Sequence, residues 1–133
     1  EIKRWSEFLN IKINIKPKFF PPKDPHLPAK FTIAANLLGT KIVFGHEILK
    51  QLWSEEKDIS DEKNIELVSD SFKINFKELS TLAKSERVTT IYANNTKEAV
   101  EKNVFGAPTY IFNDELFWGQ DRLEFLERAL KKS

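Results

Sequence analysis

Cysteine is absent from this 133-residue chain, and so is methionine. The first absence excludes disulfides and any Cys-x-x-Cys redox pair within the sequence. It also matches a reducing compartment, so a cytoplasmic location is the expectation. Glycine occurs four times, too rarely for a phosphate-cradling loop, and no G-x-G-x-x-G, P-loop or Gly-x-Ser-x-Gly elbow is present. His26 and His46 are the only histidines and stand far apart, so no zinc site is expected. No excess of either charge exists: 21 basic residues face 20 acidic ones. Neither nucleic acid nor an anionic membrane is therefore an expected partner. No apolar run approaches the roughly 20 residues of a membrane span.

What the chain does contain is well-spaced punctuation. Residues 17–28 carry five prolines, at 17, 21, 22, 25 and 28, which predicts an irregular connector. Before it, residues 1–9 read as the end of a helix with Trp5, Phe8 and Leu9 on one side. Residues 11–15 alternate Ile-Lys-Ile-Asn-Ile, which predicts a strand with one buried face. From Ala29 to about Arg87 only helices are expected. Phe31, Ala34, Ala35 and Leu38 form one stripe, ending at Gly39. Ile42 to Glu55 forms another, with Phe44, Ile48, Leu49, Leu52 and Trp53. Ser60-Asp61 caps a third helix carrying Ile65, Leu67, Val68 and Phe72. Asn75 with Glu78 caps a fourth carrying Phe76, Leu79, Leu82 and Ala83. A further helix reaches Asn103, with Asn94-Asn95 a candidate break and Thr96 a restart.

The span from Val104 to Leu130 holds the most chemistry. Gly106-Ala107-Pro108-Thr109 sets a proline before a β-rich run, and Thr109 to Phe112 and Leu116 to Trp118 read as two strands around the turn Asn113-Asp114. Two readings of Pro108 are open. A trans bond would simply end a loop. A cis bond would turn the chain and leave the backbone of Ala107 facing outward, able to pair with an extended peptide as a strand does. Gly119-Gln120-Asp121-Arg122 then opens an amphipathic helix. Asp121 and Glu124 have capping-box spacing, and Leu123, Leu126 and Leu130 form one stripe. A helix N-terminus beside an acid suits the two ends of an amino-acid zwitterion. Asp121 as a plain cap and Gln120 as an exposed residue is the blander reading.

These residues carry a resemblance. Val104 to Thr109, followed by Leu116-Phe117-Trp118-Gly119-Gln120-Asp121-Arg122-Leu123, resembles the signature of 2-hydroxychromene-2-carboxylate isomerases, relatives of kappa-class glutathione transferases and of DsbA-type oxidoreductases. Upstream, Glu1 to Trp5, Phe8 to Ile11, Phe19-Phe20-Pro21-Pro22, Leu52-Trp53, Asp58 to Asp61 and Thr96 to Val100 resemble further segments of that family. The resemblance implies an α/β, thioredoxin-like fold with an inserted all-helical domain. Residues 1–28 and 88–133 would form the thioredoxin-like part and residues 29–87 the insertion. It also implies a first strand, a serine-bearing loop and a helix ahead of Glu1. The expectation is that this region lies outside the present sequence, leaving a small residual sheet and no catalytic serine in this chain.

The activity implied is a glutathione-dependent cis–trans isomerisation of a small aromatic or conjugated keto-acid substrate. Glutathione is the implied cofactor, recycled through thiolate addition, bond rotation and elimination. Gly106, Ala107 and Pro108 would pair with its cysteinyl backbone, and Gln120, Asp121 and Arg122 would meet its γ-glutamyl end. Phe20, Trp53 and Phe117 are candidates for an aromatic substrate pocket between the insertion and the thioredoxin-like part, although aromatics at such spacings commonly serve as core. Alternatives are a kappa-like transferase, an oxidoreductase with its cysteine pair upstream, and a non-catalytic module. A homodimer is a further expectation from the resemblance.

Overall fold

The computed structural model describes residues 1–132. The order of elements is α1 (Ile2–Leu9), α2 (His26–Leu37), α3 (Ile42–Trp53), α4 (Glu62–Ser71), α5 (Phe76–Ala83), α6 (Glu86–Glu101), β1 (Thr109–Phe112), β2 (Glu115–Trp118), a 3₁₀ turn (Gln120–Arg122) and α7 (Leu123–Lys132). The described residues divide into two compact units, Glu1–Ala93 and the chain from Asn94 onward, with the division inside α6.

The first unit is a helical cluster in which α2 packs on α3 and α5, and α4 packs on α3 and α5. Phe31, Phe44, Ile65, Leu79 and Val88 are completely enclosed, with Ala34, Ala35, Ile48, Leu52 and Val68 beside them. Full burial of one such large side chain contributes about 1.5–3 kcal/mol. Phe31 stacks on Phe76, ring centroids 5.9 Å apart. The caps read from sequence are made. Asp61 accepts the amide N–H of Lys63 at 3.0 Å, and Asn75 Oδ1 accepts that of Glu78 at 3.0 Å. Helix α2 starts at His26, earlier than the proline spacing predicts. Pro28 falls in its first turn, where a missing N–H costs nothing.

Several expectations are corrected. Residues 11–15 are not a strand. Asn14 N–H donates to Trp53 O at 2.7 Å, and the Ser54 hydroxyl donates to Lys12 O at 2.6 Å. The segment thus runs along the end of α3, and among the described residues no neighbouring strand makes a ladder with it. Ile13 is half-buried, whereas Ile11 and Ile15 are exposed, so the three isoleucines do not share a buried face. No break occurs at Asn94-Asn95; α6 is continuous. Leu49 and Leu67, assigned to core stripes, are exposed because each lies one position off the stripe formed by its buried neighbours Ile48 and Val68.

In the second unit β1 and β2 form an antiparallel hairpin with Thr109 opposite Trp118, Tyr110 opposite Phe117, Ile111 opposite Leu116 and Phe112 opposite Glu115. The connecting residues Asn113 (φ 49°) and Asp114 (φ 61°) both adopt positive φ. That is the requirement of a type I′ turn, whose twist matches the strands. Helix α7 packs on both strands.

Candidate functional site

The hairpin holds together the two stretches that the sequence singles out. Gly119 N–H donates to Pro108 O at 2.9 Å, one step beyond the last ladder pair. The residues before β1 and those after β2 are therefore neighbours. The Ala107–Pro108 peptide bond is cis, and both residues are exposed. The Thr109 hydroxyl donates to Gly106 O at 2.5 Å, and Pro108 O is taken by Gly119. Among the described residues no backbone hydrogen bond engages Ala107, so its N–H and C=O are open to a ligand's main chain.

Two glycines make this corner possible, and one of them, Gly119, is not among the binding candidates read from the sequence. A Cβ on Gly106 would lie 2.6 Å from Trp118 Nε1, so only hydrogen fits under the indole. Phe105 flanks the same indole, ring centroids 5.1 Å apart. Gly119 has φ +103°, a conformation open chiefly to glycine, and its Cβ would lie 2.5 Å from Asp121 Oδ1. The Asp121 carboxylate thus lies folded back against Gly119. The signal available in the sequence was the position of Gly106 and Gly119, half of all glycines, at the two feet of one hairpin.

Gln120, Asp121 and Arg122 are all exposed on the 3₁₀ turn. The expected Asp121 cap is corrected. Gly119 occupies the N-cap position without a side-chain hydrogen bond, and Asp121 lies inside the turn, before α7 begins at Leu123. Its recorded partner is Arg122, whose Nη1 is 3.9 Å from Asp121 Oδ2. The Arg122 guanidinium also faces the Phe125 ring at 5.9 Å. The corner therefore offers an unpaired main-chain segment, a carboxylate for an ammonium and a guanidinium for a carboxylate.

The aromatic candidates separate. Phe20 and Trp53 meet in the first unit with ring centroids 5.1 Å apart, Phe20 more than half exposed. Phe117 belongs to the second unit and is only 6% exposed, so it serves there as core. Its strand neighbour Trp118 points the other way and is half exposed. Among the described residues no cluster of three or more His, Asp or Glu could hold a metal ion, and no helix is long and apolar enough to cross a membrane.

The chain is similar to known proteins along nearly all of its length. It is 25% identical over 130 residues to a 2-hydroxychromene-2-carboxylate isomerase of Pseudomonas sp. (strain C18), covering 98% of this chain and 59% of that protein. A protein of the same name from Sphingobium xenophagum is 29% identical over 80 residues, covering 60% of this chain and 41% of the relative. A solved structure of 2-hydroxychromene-2-carboxylate isomerase superposes with a TM-score of 0.78 at 25% identity, covering 98% of this chain and 63% of that one. The chain thus spans about three-fifths of the length of the protein from strain C18 and of the solved structure. The family model for a DSBA-like thioredoxin domain matches residues 1–131. The sparse sheet and abundant helix are those of a thioredoxin fold of this type, and the chain belongs to the DSBA-like thioredoxin domain family.

Proposed function

We propose that this chain carries the glutathione-binding corner of an isomerase acting on a 2-hydroxychromene-2-carboxylate-type substrate. The observation that carries the reading is the open main chain of Ala107, held beside Gln120, Asp121 and Arg122 by the Gly119–Pro108 hydrogen bond. The names of the relatives supply the reaction class. The residues present fit the tripeptide. An extended peptide backbone needs an unpaired N–H and C=O at strand spacing, which Ala107 offers. An α-amino acid end needs a carboxylate and a cation side by side, which Asp121 and Arg122 offer.

Glutathione held by Ala107, Asp121 and Arg122 would supply a thiol nucleophile for reversible addition to a conjugated keto acid. This chain's residues orient it. Ala107 fixes the direction of the peptide backbone, Asp121 and Arg122 fix its γ-glutamyl end, and the Trp118 indole, seated on Gly106, bounds the corner on one side.

Titration of glutathione into ¹⁵N-labelled protein tests the reading. Amide shifts are expected at Gly106, Ala107, Thr109 and residues 119–122, with saturation. Absence of saturable shifts there, or equal shifts from an unrelated tripeptide lacking the γ-glutamyl linkage, would refute it.

A further inference from the structure

A second site lies wholly in the first unit, and nothing in the thiol-binding corner accounts for it. It is a cavity of about 230 Å³ between the start of α2 and the end of α5. Its floor is apolar and enclosed: Phe31 and Ala83 are 0% and 1% exposed, and half-buried Leu27 closes one wall. Its rim is polar, with His26, Lys30 and Lys84 among the lining residues.

The charges on that rim are unequally satisfied. Lys84 Nζ is paired with Glu62 at 2.8 Å. Asp24 also lines the cavity, but its Oδ1 is committed to the amide N–H groups of His26 (2.9 Å) and Leu27 (3.2 Å), which it caps. Lys30 differs from both. It is half-buried, its recorded contact is the neutral Thr89 hydroxyl at 3.4 Å, and among the described residues no carboxylate lies within ion-pair distance of it. A half-buried cation that lines a cavity with an apolar floor, and that has no carboxylate partner, attracts an anion with an apolar body. His26 adds a polar ring to the rim, and the 2.8 Å contact of its Nδ1 with the Tyr92 hydroxyl fixes the ring's orientation.

From this arrangement we infer that the cavity binds a small amphipathic monocarboxylate. Its carboxylate lies between Lys30 and His26, and its apolar body rests on Leu27, Phe31 and Ala83. The volume sets the size. Sites for drug-sized ligands occupy about 300–1,000 Å³, so this smaller cavity takes a single ring or a short alkyl chain. The inference is independent of the glutathione reading, because all of these residues precede Ala93.

Benzoate is a suitable probe. Titrated into the ¹⁵N-labelled chain, it is expected to give saturable shifts confined to residues 24–31 and 83–84. Lys30→Gln is expected to weaken binding about tenfold, the scale of one charge-assisted hydrogen bond, whereas Lys30→Arg retains it. Benzyl alcohol, with the same ring and no charge, is expected to bind at least about tenfold more weakly on the same grounds. Asp121→Ala is expected to leave benzoate binding unchanged. Any of three outcomes overturns the inference: no saturable shifts at this cavity, equal affinity of Lys30→Gln and the parent chain, or equal binding of benzyl alcohol and benzoate. Circular dichroism of Lys30→Gln, a substitution at the cavity rim, confirms that lost binding is not lost folding.

Discussion

Replacing Asp121 with alanine separates ligand recognition from folding. In the fold Asp121 does little. It caps no helix, and its ion pair with Arg122 is long, 3.9 Å, between side chains 59% and 54% exposed. Pairs of that kind contribute about 0.2–1 kcal/mol, and a gap of this length belongs at the lower end. Asp121→Ala should therefore shift Tm by about 2 °C or less. Toward glutathione its role is larger. A charge-assisted hydrogen bond to an ammonium is worth about 1.5–3 kcal/mol when shielded, and solvent at this exposed position reduces that to roughly 1–1.5 kcal/mol. The expected result is a five- to tenfold rise in Kd, roughly, with little change in Tm. Asp121→Asn keeps an acceptor and loses the charge, so it should fall between. Calorimetric titration beside a thermal melt reads both quantities on one sample. Affinity unchanged within about twofold would remove Asp121 from the site. Parallel losses of affinity and Tm would show that the residue acts through structure instead.

The remaining predictions concern the helical unit. Phe31→Ala removes a fully enclosed ring stacked on Phe76 and should cost about 3–5 kcal/mol in urea unfolding; a loss under about 1 kcal/mol would mean that the core closes over the gap. Asn75→Ala removes the acceptor for Glu78 N–H and should cost about 1 kcal/mol, whereas Asn75→Asp should restore most of it. The Glu55 carboxyl titrates below its ordinary value of 4.5, chiefly through its hydrogen bond to Lys57; burial opposes the shift, and the charges of Lys57, Lys50 and Lys12 each add less to the lowering. A depressed folded-state pKa contributes stability that is present above the unfolded value and lost as pH falls through the folded one. NMR titration should place the Glu55 midpoint below 4.5, and Lys57→Met should move it back up; a midpoint indifferent to that substitution would assign the shift elsewhere.

Local signals were legible at the caps and at the hairpin turn. Asp61 and Asn75 were readable as caps because a cap needs only a side-chain oxygen and an amide two or three residues on, and both bonds form. The Asn113-Asp114 turn was readable because both residues tolerate positive φ. Residues 11–15 were not, because alternation describes a strand only if a neighbouring strand exists, and here the end of α3 takes the hydrogen bonds instead. Asp121 misled for a related reason: capping-box spacing is blind to an intervening 3₁₀ turn, which moves the true cap back to Gly119. The cavity beside Lys30 was invisible in the sequence, since it depends on α2 and α5 meeting, and no spacing along either helix encodes that.

The corner at Ala107 depends on a short set of interlocking local constraints. The type I′ turn sets the register, the register places Thr109 opposite Trp118, and one further hydrogen bond ties Gly119 to Pro108. From there both glycines follow. The indole of Trp118 crosses the chain at residue 106, which leaves no room for a Cβ, and the chain reverses into the 3₁₀ turn at residue 119 with φ +103°. Each constraint joins residues fewer than about fifteen positions apart, so loop-closure entropy is small. This explains how the second unit can present its recognition groups in fixed relation although its helix α7 buries no residue completely. A site built this way draws its geometry from the hairpin and its glycines, and the energetics of the helical core, where Phe31 and its neighbours are enclosed, belong to a different part of the molecule.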